Sequence, residues 1–415
     1  MLKRIASDSK EICDECPDNL VIIGGGRWAR QIIETLHTLV PQSTRLTVYT
    51  PRNSKLMVVW LTDRGLNLRI NVSDCMPILN SNESNAAIVV NAASDHEASA
   101  AWALKQRCPV LVEKPLCLNS DSAQHIIDLA LEKNVYLATA HVFLFADYIN
   151  EFARHVTEVA EVVSISILWM DQHSEKRYGE IKNYDAGLPV YADWLPHILS
   201  ILNSIVGAQD LVCEKLIFLK GGAHLIINFN YGSIPCTVEL VRNGESRKRI
   251  IEVTTKENKL TLNFSTEPGL IYKDDIFIHR DANWENGPKP VARMLKAFLK
   301  GAAGDARDIR LDNSIGLFST KVIDQVATLY RAELSAWLFN RIAMDQDIMD
   351  NDLRYALIEF LQAEDVASDI PIEHRIAYLY RKIREQFLKF SKARDFSLIE
   401  SVTRAIKVGK YTSYL

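Results

Sequence analysis

Apolar residues in the first third of the chain fall into short solid runs separated by amphipathic stretches. Asn19-Leu-Val-Ile-Ile-Gly24, Arg45-Leu-Thr-Val-Tyr-Thr50, Ala86-Ala-Ile-Val-Val-Asn91, Pro109-Val-Leu-Val-Glu113 and Val135-Tyr-Leu-Ala-Thr-Ala140 are short and mostly rich in β-branched residues. Strands covered on both faces show such runs without alternation, so these predict a parallel sheet. Between them Ile32, Ile33, Leu36 and Leu39 recur at helical spacing. Further helices are predicted over residues 96–107 and 121–133, the second capped by Asn119 or Ser120.

After residue 146 the pattern changes to alternation. Val162–Met170, Cys213–Leu219, His224–Tyr231, Pro235–Val241, Lys248–Val253 and Lys259–Phe264 each read as half-covered strands. Gly221-Gly222 and Asn243-Gly244 supply tight turns, so an open, mainly antiparallel sheet is expected. Helices follow over Val291–Leu299 and Asn313–Leu329. From residue 331 the apolar positions take helical period again. They predict Ala332–Asp345, Asp352–Ala363, Ile372–Phe390 and Leu398–Val408, with Ile376, Leu379, Tyr380, Ile383 and Phe387 on one stripe. The organisation expected is an arm (1–18), an α/β Rossmann-type dinucleotide-binding domain (19–145), an α+β substrate domain (146–330) and a helical extension (331–415).

The first strand runs into Gly24-Gly25-Gly26-Arg27-Trp28-Ala29, a G-x-G-x-x-A turn opening a helix. Gly24 permits the tight turn, Gly26 lets the backbone approach a pyrophosphate, and Ala29 lets helix and strand pack closely. The helix N-terminus offers free N–H groups to phosphate. An NAD-type site places Asp or Glu at the end of the second strand, where this chain has Thr50-Pro-Arg52-Asn-Ser54-Lys55. Arg52 with Ser54 or Lys55 suits a 2′-phosphate, so NADP(H) is expected in preference to NAD(H); a basic, solvated loop is the competing reading. Ala92, Ala93 and Ser94 make a small-residue exit from the next strand, which ends at Asn91. His96 then either lines the nucleotide site or caps a helix. The fifth run ends in Glu113-Lys114-Pro115, a charged corner at the carboxyl edge of the sheet.

Asp193 and His197 stand four apart in Gly187-Leu-Pro-Val-Tyr-Ala-Asp-Trp-Leu-Pro-His-Ile-Leu-Ser200, and share one face of a helix. A carboxylate beside an imidazole orients the ring and favours its charged form, which suits a proton carrier. Pro196 complicates this: either the helix begins near it and Asp193 is a cap, or the helix bends there.

The glycine turn, Asn91-Ala-Ala-Ser-Asp-His96 and Val110-Leu-Val-Glu-Lys-Pro-Leu116 together resemble the Gfo/Idh/MocA oxidoreductases, the family of glucose–fructose oxidoreductase and inositol dehydrogenase. The resemblance covers roughly residues 19–330. It departs from the family pattern at Asn91-Ala92, where Thr-Pro is usual, and at Leu195-Pro196 and Ser200 around the Asp-x-x-x-His segment. It implies that Lys114 contacts both cofactor and substrate. The catalytic set expected is Lys114, His197 and Asp193. The cofactor-binding set is Gly24, Gly25, Gly26, Arg27, Trp28, Thr50, Arg52, Ser54, Asn91, Ala92, His96, Glu113 and Lys114.

The implied function is hydride transfer to or from a carbon bearing oxygen or nitrogen, with a sugar- or cyclitol-type carbonyl foremost. One branch of the family reduces thiazoline-type imines, and Trp169 and Trp194 keep that alternative open. A non-catalytic NADP(H)-binding sensor is the rival from another class. Composition adds exclusions. A net charge of −4 gives no basic field for nucleic acid. No apolar run approaches the roughly 18 residues of a membrane span. Residues 1–18 lack the apolar stretch of a secretory signal. Seven scattered cysteines suit reduced thiols, so a cytoplasmic protein is expected. Cys13 and Cys16 form an isolated C-x-x-C with no second pair, and no metal is expected. A homo-oligomer through the sheet domain is expected, with a protein partner for the helical extension as a further possibility.

Overall fold

The computed structural model describes residues 16–159, 161–172, 176–177, 180–181, 188–343, 351–363, 374–377 and 380–381. Most of the predicted arm, including Cys13, and the predicted helix at Leu398–Val408 lie outside the described residues, as does most of Ile372–Phe390.

The chain divides into two compact units, both discontinuous. The first comprises Met1–Arg154, Pro196–Ala208 and Asp281–Lys321. The second comprises His155–Leu195, Gln209–Arg280 and Val322–Leu415. Residues 196–208 and 281–321, read from the sequence as part of the α+β domain, therefore pack with the nucleotide domain.

In the first unit, β1 (Asn19–Ile23), β2 (Arg45–Tyr49), β3 (Ile70–Ser73), β4 (Asn85–Val89), β5 (Val110–Glu113) and β6 (Leu137–Ala140) form one parallel sheet. Their order is β3-β2-β1-β4-β5-β6. Covering helices include α1 (Arg27–Leu39), α2 (Ser54–Asp63), α3 (His96–Lys105) and α4 (Ser120–Lys133). The solid apolar runs have the expected cause: Leu20 and Ile22 enter one core, Val21 and Ile23 the other, so β1 is covered on both faces from Leu20 to Ile23. The Asn119 side chain accepts from the Ser122 N–H and caps α4. Helix α7 (Pro290–Ala303) lies in this unit, whereas α5 (Asp147–Thr157) and α6 (Val190–Val206) each have residues in both units. Met294, Leu295, Phe298 and Leu299 of α7 complete the core that α1 begins.

The second unit contains an eight-stranded mixed sheet. Its strands are β7 (Val162–Gln172), β10 (Leu211–Leu219), β11 (His224–Tyr231), β12 (Ile234–Gly244), β13 (Lys248–Thr255), β14 (Lys259–Asn263), β15 (Leu270–Lys273) and β16 (Ile276–Arg280). The short pair β8 (Lys176–Arg177) and β9 (Glu180–Ile181) stands apart. The sheet order is β10-β11-β12-β7-β13-β14-β15-β16, antiparallel except where β12 meets β7. Burial alternates strictly along β11, as the sequence pattern requires.

One helix runs longer than its sequence suggests. A single helix, α8 (Asn313–Ala343), replaces the two predicted over 313–329 and 332–345. Helix α6 continues through Pro196. Helix α9 (Asn351–Ala363) is close to its predicted span. Among the described residues no helix is long and apolar enough to cross a membrane.

Candidate active site

The glycine turn is wedged between the carboxyl ends of two neighbouring strands. Gly24 has φ of 143°, and a Cβ there would lie 2.6 Å from the Val90 carbonyl oxygen. A methyl at Gly25 would overlap the Thr50 side chain, whereas Gly26 faces open space. Gly26 also begins α1, which has no side-chain cap and no acidic residue in its first turn. Its N-terminus therefore keeps the positive potential and N–H donors that suit a phosphate.

In front of this turn lies a cleft of about 540 Å³, lined by Gly24, Gly25, Gly26, Thr50, Arg52, Asn91 and Ala92 among the expected residues. Tyr49, Pro51, Asn53, Met76, Asp95, Ala98 and Ser99 also line it. Asp95 and Ser99 were legible in principle, because Asn91, Asp95 and Ser99 recur every four residues where a strand hands over to a helix. The Asn91 amide donates to Ser99 Oγ at 2.8 Å, which fixes that exit. Met76 follows β3 in an irregular segment and carries no sequence signal. The exposed Arg52 stands where β2 ends, and no carboxylate follows that strand before Asp63.

Arg27, Trp28, Ser54, His96, Glu113 and Lys114 are not among the residues lining this cleft. Trp28 Nε1 donates to a Glu113 carboxylate oxygen at 3.1 Å, so the start of α1 is tied to the Glu-Lys-Pro corner. Ser54 is the first residue of α2, and its neighbour Asn53 faces the cleft instead. His96 is buried, with Nδ1 2.8 Å from the Pro115 carbonyl oxygen. Burial lowers its pKa, against the opposing pull of backbone hydrogen bonds at Pro115 and Asn91. The ring thus fastens the start of α3 to the segment just after Lys114. The side chain of His96 neither caps α3 nor faces the cleft.

Register places the rest of the candidate chemistry. Glu113 on β5 pairs with Ala140 on β6, so Lys114 and His141 are the next residues at the carboxyl edge of adjacent strands. His141 is buried, and among the described residues neither ring nitrogen has a hydrogen-bond partner. Burial pushes its pKa down to about 4, although the Asp312 charge acts in the opposite sense. A 3-10 turn follows over Val142–Phe145. The Phe143 ring meets the His197 ring edge-on, centroids 4.9 Å apart. His197 is thereby packed beside the same sheet edge from which Lys114 emerges.

Asp193 lies within the first turn of α6, and its N–H donates to the Pro189 carbonyl at 3.0 Å. The helix therefore does not start at Pro196, and Asp193 is not its cap. The ring of Pro196 removes one donor from the helical ladder without ending it. The Asp193 carboxylate lies 3.4 Å from the Arg242 guanidinium in the second unit. Arg242 is a residue that sequence reasoning missed: a charge on a strand reads as exposed, and this one is 1% exposed.

A glycine turn at a strand–helix junction, a cleft at the carboxyl edge and a central position in a parallel sheet define a Rossmann dinucleotide-binding domain. Residues 19–141 match the Gfo/Idh/MocA family model, described as an oxidoreductase family with NAD-binding Rossmann fold. No curated protein matches the chain by sequence. Among solved structures, UDP-N-acetylglucosamine 3-dehydrogenase from Acidithiobacillus ferrooxidans is 16% identical with a TM-score of 0.57, the match covering 75% of this chain and 97% of that one. The 3-ketoreductase KijD10 from Actinomadura kijaniata, in complex with TDP-benzene and NADP, is 16% identical with a TM-score of 0.59, covering 74% of this chain and 96% of that one. At these identities the likeness is one of fold.

Proposed function

We propose that this chain is an NADP(H)-dependent oxidoreductase acting on a ring carbon of a sugar or nucleotide sugar. The observation that carries the reading is the sheet edge itself. Lys114 leaves β5 there, and His197 packs on Phe143 just beyond β6, the adjoining strand. The glycine turn opens at the same edge. The residues suit the nucleotide: Gly26 leaves room for a pyrophosphate, and Arg52 supplies the cation that a 2′-phosphate requires. When bound, the nicotinamide supplies or accepts the hydride.

The chain's own residues handle charge and protons. Lys114 places an ammonium against the substrate oxygen and stabilises the negative charge that develops there. His197 gives a proton to that oxygen in reduction, or takes it in oxidation. Asp193, one helical turn before His197 on α6, holds the helix face that presents the ring. Of the two solved structures named above, one is a UDP-N-acetylglucosamine 3-dehydrogenase and the other a 3-ketoreductase in complex with TDP-benzene and NADP, and this favours a sugar carbonyl or carbinol as the substrate class. Trp169 and Trp194, the residues that suggested an imine pocket, are buried with the Arg249 guanidinium over both rings.

The test is turnover. The full-length protein is incubated with NADPH or NADP⁺ and a panel of nucleotide-linked and free keto and hydroxy sugars, with absorbance at the nicotinamide band as readout. Turnover that disappears in Lys114→Met and His197→Ala meets the expectation. Tight NADPH binding with no turnover across carbonyl, carbinol and imine panels would favour the sensor reading instead.

A further inference from the structure

The second unit contains a buried charge cluster that the proposed chemistry does not use directly. At its centre is Arg242 on β12, 1% exposed. Its Nη2 donates to the Leu188 carbonyl at 2.7 Å and lies 3.4 Å from Asp193 Oδ2. On the other side, Nη1 donates to Tyr355 Oη at 2.9 Å and lies 3.6 Å from Glu359 Oε1. Glu359 is itself 2% exposed and accepts from the Tyr330 hydroxyl at 3.4 Å. Tyr355 and Glu359 sit four residues apart on α9, so one helix face delivers both.

That helix is seated closely. Leu353, Ala356 and Leu357 are fully buried. Gly221 has φ of 63°, and a Cβ there would overlap the Asp352 carbonyl oxygen. A buried cation with acids on two sides is costly unless all partners are in place. Burial disfavours the Arg242 charge, but Tyr355, Asp193 and Glu359 more than offset this and keep it firmly protonated.

We infer that α9 is a built-in clamp on the first turn of α6: Tyr355 and Glu359 hold Arg242, and Arg242 holds Asp193 and the Leu188 carbonyl. Tyr355, Glu359 and Arg242 are then positioning residues for the helix that carries His197. This rests on the proposed role of α6 in catalysis. The α9 part of the extension thereby acquires a task in the same polypeptide.

The test uses the full-length protein with Glu359→Gln and Tyr355→Phe, which keep shape while removing a charge and a hydroxyl. Hydrogen–deuterium exchange is followed in peptides covering residues 188–200 and 24–40, and NADPH affinity, KM and kcat are measured. The expectation is faster exchange in 188–200 with 24–40 unchanged. NADPH affinity and substrate KM stay within about twofold, and kcat falls by about tenfold. Unchanged exchange at 188–200 overturns the clamp whether or not the enzyme is active. Faster exchange there with wild-type kcat overturns the positioning role. If the wild-type protein turned over no sugar carbonyl, the functional reading would fall, and the exchange pattern alone would decide the clamp.

Discussion

Arg52→Ala is the substitution that most directly probes the nucleotide site. Arg52 lines the cleft where β2 ends, is exposed, and stands where an NAD-type domain has a carboxylate. A charge-assisted hydrogen bond contributes about 1.5–3 kcal/mol. Arg52 sits at the solvent rim, where water and salt screen the pair, so the lower end applies. About 1.5 kcal/mol corresponds to roughly a tenfold loss in NADPH affinity. NADH lacks the 2′-phosphate, so its affinity should stay unchanged, and the preference for NADPH should fall by the full tenfold. Nicotinamide fluorescence titration at two ionic strengths measures both. Raising salt should weaken NADPH binding to the wild type and have much less effect on Arg52→Ala. Equal losses for NADPH and NADH, or no loss for either, would refute the assignment of Arg52 to a 2′-phosphate.

Lys114→Met and His197→Ala should each lower kcat by about 10²–10⁴, the range for a positioned acid–base or electrostatic group, while His197→Ala leaves NADPH affinity intact; stopped-flow and binding titrations separate the two quantities. His141 gives a pH prediction. The folded ring takes its proton only near pH 4, whereas the unfolded chain takes it near 6.5, so its contribution is complete above pH 6.5 and is lost as pH falls towards 4. The loss is about 3 kcal/mol, and urea titrations across that window should show a flatter slope in His141→Leu; an identical slope would dismiss the buried neutral ring as its source. Gly221→Ala should dislodge α9, exposing two leucines at about 1.5–3 kcal/mol each, which limited proteolysis between α8 and α9 would register as faster cleavage.

The parallel sheet was readable because each strand of it that is buried on both faces leaves an uninterrupted apolar run. Helix α2 and strand β3 went unread for physical reasons. In α2 only Met57 and Leu61 are buried while Leu56, Val58 and Val59 are exposed, so Leu-Met-Val-Val-Trp-Leu shows no period. In β3 Ile70 alone is buried. Strands β15 and β16 went unread because their exposed apolar positions break the alternation; Asp274 and Asp275, both at positive φ, form the tight turn joining them. The division at residues 329–332 had no physical basis, since no Gly or Pro occurs between residues 317 and 343. The parallel pairing of β12 with β7 is set by residues some 70 apart and leaves no local trace. In the site, the residues with backbone tasks were legible, notably Gly24 and Gly26. His96 and Arg242 were not, because their partners are a distant carbonyl and a distant helix.

The return of residues 281–321 to the first unit has a practical corollary. Transplanting the nucleotide module into another protein by cutting after residue 150 would strip away Met294, Leu295, Phe298, Leu299 and Leu311, and leave bare the α1 side of the core they cover. During synthesis the same holds: the ribosome must emit another 150 or so residues before that half of the module can close. A chimera between this chain and a relative must therefore exchange at least three separate segments together.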